Sequence, residues 1–319
     1  YNKENKCDKE KNNMRSLVGY TGFVGSNLNL NGEFEGLYNS KNIGEAFGTC
    51  PDILVYSGVP RQKFIANKYP ERDFEIVKNA FENIKKINPK KVVLISSVDV
   101  YKEPNGKDED RIMETRGLRR YGKDRLWLEN KVSDSFDSLV IRLSGLYGKG
   151  LKKNFLYDYI NYIPALLTDG KIRELLEKRP DLKEYYTDRG DGFWRVKTDI
   201  DRDRLKEIFK TVGFSALNFT DSRGLFQYYN LNRLNGDIQL ALDNNIKILN
   251  LAVEPVTISQ IYRRLTGEEF VNHITDKPPV YDLRTKYSNL FGGKDGYILK
   301  KEFCLTDIKQ FVENYTENR

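Results

Sequence analysis

The chain has 319 residues, 39% of them hydrophobic and 31% charged, with 53 Lys and Arg against 46 Asp and Glu for a net charge of +7. That length can bury a substantial core, the bases are interspersed with acids instead of forming the stripe nucleic acid requires, and no apolar run approaches the roughly 18–20 residues of a membrane span. Three cysteines, Cys7, Cys50 and Cys304, lie far apart without CxxC or metal-ligand spacing, which argues against a zinc site or disulfide framework and for a reducing cytoplasm.

Residues 1–13 (YNKENKCDKEKNN) carry no hydrophobic period and read as a disordered tail, with Met14 a natural start. The stretch SLVGYTGFVGSNLNL (16–30) reads as a short strand through Leu17 and Val18, then Gly19, Gly22 and Gly25 at three-residue spacing, then a helix from near Phe23. Glycines there let the backbone turn tightly and bring its N–H groups close to a ligand, and the positive end of the following helix attracts a pyrophosphate. Thr21, Phe23 and Val24 belong to the same turn. GLYNS (36–40) is a second strand, and Asn39, Ser40, Lys41 and Asn42 at its end include no acid. In dinucleotide-binding folds an acid there holds the ribose 2′-hydroxyl and a base the 2′-phosphate, so Ser40 and Lys41 favour NADP over NAD.

DILVYSG (52–58) is a buried strand ending in the small residues Ser57 and Gly58, as close cofactor approach requires. From Pro70 to Lys86, Phe74, Val77, Ala80, Phe81 and Ile84 recur at helical spacing. KVVLISS (91–97) is a continuous apolar run typical of a central parallel strand. A helix at 121–132 and a strand at 138–143 continue an alternation that argues for a doubly wound parallel α/β sheet, Rossmann-like, over residues 14–150. Beyond Gly150 the texture changes. Residues 151–163 are apolar and aromatic, 165–210 are charged and helical in character, 226–243 read as a helix, and 246–252 as a strand returning to the nucleotide domain. The segments 151–225 and 256–319 are assigned to a smaller C-terminal substrate lobe, with about 226–255 returning to the first domain.

SSVDVY (96–101) ends the central strand on the carboxyl edge, where open α/β sheets bind ligands. Tyr121 follows Ser97 by twenty-four residues and opens YGKDRLWLE, with Arg125 on the same helix face four residues on. A phenol moves protons when a fixed cation stabilises its anion, and a serine hydroxyl orients an oxygen beside it.

GYTGFVGSNL, the SSVDVY strand end, YGKDRLWLE and RLSGLYG (142–148) resemble, in order and spacing, the motifs of extended short-chain dehydrogenases, in the NAD(P)-dependent epimerase/dehydratase branch that acts mostly on nucleotide sugars. NLAVEPVTISQIY (250–262) looks like the same family's late strand. The resemblance implies that Gly19, Gly22 and Gly25 hold the cofactor pyrophosphate. It also implies that Ser97 polarises the substrate oxygen, that Tyr121 is the general acid/base, and that hydride passes between nicotinamide and sugar. Arg125 stands where the family has lysine. It keeps the charge, with a bulkier fork able to bond the nicotinamide ribose. Val98 stands where sugar 4,6-dehydratases carry Asp, which disfavours dehydration, while Asp99 occupies a second proton-transfer position. Lys153 and Asn154 resemble the nucleotide-contacting turn, and Arg223 is a further cation for the substrate diphosphate. A homodimer is implied by the resemblance alone. No residue set suggests a metal, and the lone His273 reads as structural. The alternative reading is a non-catalytic cofactor-binding member acting as sensor or scaffold.

Overall fold

The computed structural model describes residues 14–60 and 63–317, so the expected tail at 1–13 lies outside the described residues. Five short apolar stretches near the start of the chain form parallel strands: β1 (Arg15–Val18), β2 (Gly36–Tyr38), β3 (Ile53–Tyr56), β4 (Lys91–Ser97) and β5 (Asp137–Leu143). A sixth, Ile248–Asn250, joins beside β5, giving the order sixth–β5–β4–β3–β1–β2 with every pairing parallel. Both faces are covered, as the continuous apolar runs require. Leu17, Val55, Val93, Leu139 and Ile141 pack into one core, and Val18, Leu54, Val92, Leu94 and Val140 into another. Since successive side chains of a strand point to opposite faces, these two sets are the two sides of one sheet. The chain steps from β1 out to β2, then returns across β1 to place β3 on its other side. The sheet therefore has its topological switch between β1 and β3, where ligands of such sheets settle.

Four helices position the carboxyl edge: α1 (Phe23–Asn31), α2 (Lys63–Lys68), α3 (Pro70–Ile87) and α4 (Arg120–Ser135). Proline at its first position starts α3, and Asn88, at φ 56°, stops it in a left-handed cap. Its buried stripe is Asp73, Val77, Ala80, Ile84 and Ile87. Phe74 and Phe81, expected inside, are only half-buried against Trp127 of α4, at centroid separations of 5.2 and 6.1 Å.

The described chain divides into two compact units. The first runs to Gly150 and adds Leu225–Val256 and Val280–Asp307; the second holds Leu151–Gly224, Thr257–Pro279 and the residues from Ile308. The stretch 280–307, assigned from sequence to the substrate lobe, thus packs in the first unit. There Leu283 exchanges hydrogen bonds with the buried Gln227 side chain, at 2.8 Å to its oxygen and 2.9 Å from its nitrogen. The helix expected over 226–243 begins only at Leu234. Before it Tyr228–Asn230 is a strand paired in parallel with Gly145–Tyr147, as an aromatic run with a buried partner edge favours. Cys50 is disulfide-bonded, where the cysteine spacing indicated no disulfide framework, whereas Cys304 is free and buried.

In the second unit the charged stretch 165–210 is not helical throughout. Helices Asp169–Lys178 and Arg202–Val212 flank an antiparallel sheet of Leu166–Thr168, Phe193–Val196 and Tyr186–Asp188. Their shared core holds Ile172, Leu175, Leu182, Tyr186, Leu205 and Phe209. Among the described residues no helix is long and apolar enough to cross a membrane.

Candidate active site

The glycine turn is shaped by absent side chains. Gly19 sits at φ 92°, and a Cβ there would lie 2.7 Å from the Ser57 carbonyl carbon. A Cβ on Gly25 would lie 2.1 Å from the Gly19 carbonyl oxygen. Neither position admits any other residue without moving backbone. The Gly19 amide donates to the Tyr38 carbonyl at 2.7 Å, tying the turn to the end of β2, and Gly22 caps α1 with no side chain bonded to its first turn. First-turn N–H groups of α1 are thus left for a ligand, with Phe23 and Val24 carrying two of them. Thr21 is exposed on the turn. On the far side of α1, Asn27 is fully buried, donating to the Lys149 carbonyl at 2.9 Å and accepting from its amide at 3.0 Å. This asparagine anchors the helix to the chain beyond β5. Ser57 donates to the Val18 carbonyl at 3.0 Å, so β1 and β3 end together. Ser40 and Lys41 lie exposed in an asparagine-closed turn beyond β2, where the Lys41 amide donates to Asn39 Oδ1 at 2.8 Å.

At the end of β4, Ser97 Oγ donates to Asp99 Oδ2 at 2.7 Å and accepts from the Asp99 amide at 3.2 Å. Helix α4 comes down directly on this turn: a Cβ on Gly122 would lie 2.2 Å from the Asp99 carbonyl oxygen. Gly122 is what lets α4 approach the Asp99 backbone so closely. Tyr121 is buried, and its hydroxyl makes no hydrogen bond among the described residues. Over its ring, 4.3 Å from the centroid, lies the Arg125 guanidinium.

Arg125, expected to reach a cofactor ribose, has its fork engaged elsewhere. It donates to Asp73 Oδ2 at 3.0 Å, to Asp73 Oδ1 at 3.3 Å and to the Pro60 carbonyl at 2.8 Å, and both charged side chains are buried. One helical turn on, Glu129 forms a second buried pair with Arg142 of β5 at 2.6 Å, and Arg142 donates to the Tyr101 hydroxyl at 2.8 Å. Burial raises the Tyr101 phenol above its usual range, against the pull of Arg142. These struts hold α4 on the sheet. Sequence reading missed Asp73, Gly122 and Glu129. An acid at position 73, four residues before Val77 on the apolar stripe of α3, was the available signal for a buried ion pair.

The three residues expected to meet the substrate diphosphate lie in the second unit. Asn154, at φ 111°, caps the helix Phe155–Asn161 by accepting from the Tyr157 amide at 3.2 Å, and Lys153 beside it is exposed. Arg223 forms a two-pronged pair with Asp221 at 3.0 and 2.8 Å and donates to the Thr275 carbonyl. That fork, with backbone amides, holds the Asp221 carboxyl well below the usual carboxylate range. In the same unit burial without a hydrogen-bond partner among the described residues pushes Asp158 up to about 6. A carboxyl raised on folding contributes stability that is complete below its unfolded value and lost as pH rises through about 6. Asp158→Asn is therefore expected to raise the melting temperature at pH 7.5 and to change it little at pH 4, in thermal melts at both values.

No family model and no curated protein matches this chain. Solved structures share this fold over nearly the whole chain. The solved structures that share it include RMD from Pseudomonas aeruginosa complexed with NADPH, at 14% identity over 95% of this chain and 99% of that one with a TM-score of 0.60. The dTDP-4-dehydrorhamnose reductase of Bacillus anthracis, complexed with NADP, aligns at 14% identity over 94% and 98%, TM-score 0.61. The UDP-N-acetylglucosamine 4-epimerase of Methanobrevibacter ruminantium, complexed with UDP-N-acetylmuramic acid, aligns at 13% over 96% and 99%, TM-score 0.60. At these identities the likeness is one of fold.

Proposed function

We propose that this chain is an NAD(P)-dependent reductase or epimerase acting on a nucleotide-activated sugar. The observation that carries the reading is the meeting, on one carboxyl edge, of a glycine cradle closed to any side chain with the Ser97–Asp99 pair and the buried Tyr121. Gly19, Gly22, Gly25 and the first turn of α1 would hold the pyrophosphate, Ser57 and Gly58 would border the cofactor, and Ser40 and Lys41 would face the adenosine ribose. The bound cofactor supplies or accepts hydride. Tyr121 moves the proton of the substrate oxygen and Ser97 orients that oxygen. Lys153, Asn154 and Arg223 are proposed for the substrate's nucleotide diphosphate. Neighbours of the same fold, solved with NADPH, NADP and a UDP-sugar derivative, support this chemistry.

The test is a thermal-shift panel of NADP(H), NAD(H) and UDP-, GDP-, CDP- and dTDP-sugars, followed by turnover with whichever pair shifts the melt. Binding of a cofactor and one sugar nucleotide with hydride transfer is the expected result, and absence of any cofactor shift defeats the reading. Lys41→Glu is expected to weaken NADPH about tenfold while leaving NADH nearly unchanged, because a phosphate contact is worth about 1.5 kcal/mol. Equal weakening of both cofactors would remove Lys41 from the 2′-phosphate site. A second reading, cofactor binding without catalysis, draws on the engagement of Arg125 with Asp73 and Pro60. It expects cofactor shifts with no turnover on the panel.

A further inference from the structure

The Ser97–Asp99 pair has a cation of its own, from an element that the sequence motifs leave out. Lys63, the first residue of α2, places Nζ 2.7 Å from Asp99 Oδ1, while Asp99 Oδ2 receives the Ser97 hydroxyl hydrogen at 2.7 Å. The three groups form a continuous chain: ammonium, carboxylate, hydroxyl. Accessibility falls along it, from 43% for the Lys63 side chain to 18% for Asp99 and 3% for Ser97. The other cation near the site, Arg125, is turned into its buried pair with Asp73.

The arrangement fixes what Ser97 offers. A hydroxyl has one hydrogen and two lone pairs. In Ser97 the hydrogen goes to Asp99 Oδ2 and one lone pair takes the Asp99 amide. One lone pair is left. Ser97 thus meets an incoming group as an acceptor, which suits a substrate hydroxyl and not a carbonyl. That polarity lasts as long as the Asp99 carboxylate stays turned toward Ser97, and an ammonium bonded to its other oxygen holds it there.

We infer that Lys63 is a positioning residue for the proposed reaction: it locks the Asp99 carboxylate so that Ser97 accepts a hydrogen bond from a substrate hydroxyl. The inference rests on the reading of Ser97 and Tyr121 as the reacting pair, and it assigns the chain's binding preference to the alcohol form of its sugar.

Lys63→Met and Lys63→Arg test it, with NADPH binding and melting temperature as controls and a crystal structure of Lys63→Met as a readout independent of turnover. In the Met variant the Ser97–Asp99 bond is expected to open, with NADPH affinity within about twofold of the unchanged protein. On the sugar nucleotide identified by the panel, kcat is expected to fall about ten- to a hundredfold, more than KM changes. Lys63→Arg, or methylammonium added to Lys63→Met, is expected to restore part of the loss. A Ser97–Asp99 bond unchanged in the Lys63→Met crystal overturns the inference, as does an equal loss in both variants without amine rescue. Should the unchanged protein bind NADPH yet turn over nothing, the catalytic reading fails, and the crystal structure alone decides whether Lys63 positions Asp99.

Discussion

Asp73→Ala is expected to lower the free energy of unfolding by about 3–5 kcal/mol, because it leaves the Arg125 guanidinium buried without its counter-charge. Both side chains are about 5% exposed or less, at 4% and 5%. The guanidinium has a further hydrogen bond to the Pro60 carbonyl and the Tyr121 ring beneath it, neither of which replaces a carboxylate. Arg125→Ala strands the opposite charge and is expected to cost a similar amount. The double variant Asp73→Leu/Arg125→Met removes both charges together and is expected to recover most of the loss, since a buried ion pair is often no better than an apolar pair of like volume. Urea unfolding of the four proteins gives the coupling between the two sites. A single-variant loss under about 1 kcal/mol would mean that water reaches the pair and that Arg125 is free to do something else. The comparison separates a strut from a catalytic cation, because the double variant restores stability whether or not it restores turnover.

Tyr121→Phe is expected to abolish hydride transfer, by about a hundredfold to ten-thousandfold, the range for loss of a positioned acid or base. The substitution removes one oxygen from a buried ring whose hydroxyl bonds to nothing among the described residues, so the fold loses no hydrogen bond. The ring beneath Arg125 is kept. Stability is therefore expected to stay within about 0.5 kcal/mol, and cofactor affinity within about twofold, since binding and proton transfer use different atoms. Unchanged turnover in Tyr121→Phe would favour the non-catalytic reading or a different acid.

Where burial was dictated by local pattern, the sequence was legible. KVVLISS is β4 residue for residue, and the helix expected from Phe23 begins there, because a continuous apolar run and a glycine turn each have few conformations open to them. Gly19 and Ser97, singled out in the sequence, end β1 and β4 on one edge, and Tyr121 opens the helix packed against that edge; their chemistry is the proposal. What stayed hidden depended on partners distant in sequence. Arg125 and Asp73 are 52 residues apart, and nothing in YGKDRLWLE states that the fork turns toward α3. Lys63 and Asp99 are 36 apart, and a lone lysine carries no local signal of its partner. The run 226–243 looked helical because its apolar residues fit that period. Gln227 instead lies between two short strands, its side chain donating to the carbonyls of Val253 and Leu283, both distant in sequence.

The polypeptide passes from one compact unit to the other at Gly150, Gly224, Val256, Pro279 and Asp307. Neither unit can be obtained by a single cut, and a fragment ending at any of these points lacks part of the unit it was meant to isolate. Loss of the last forty residues, for example, would take with it Val280–Asp307 and so the Leu283 groups that hold Gln227. A lineage of this protein can vary its second unit by exchanging loops within the Leu151–Gly224 stretch, but not by trading the unit as a block. Any change within it is made under the constraint of a sheet completed by residues that arrive late.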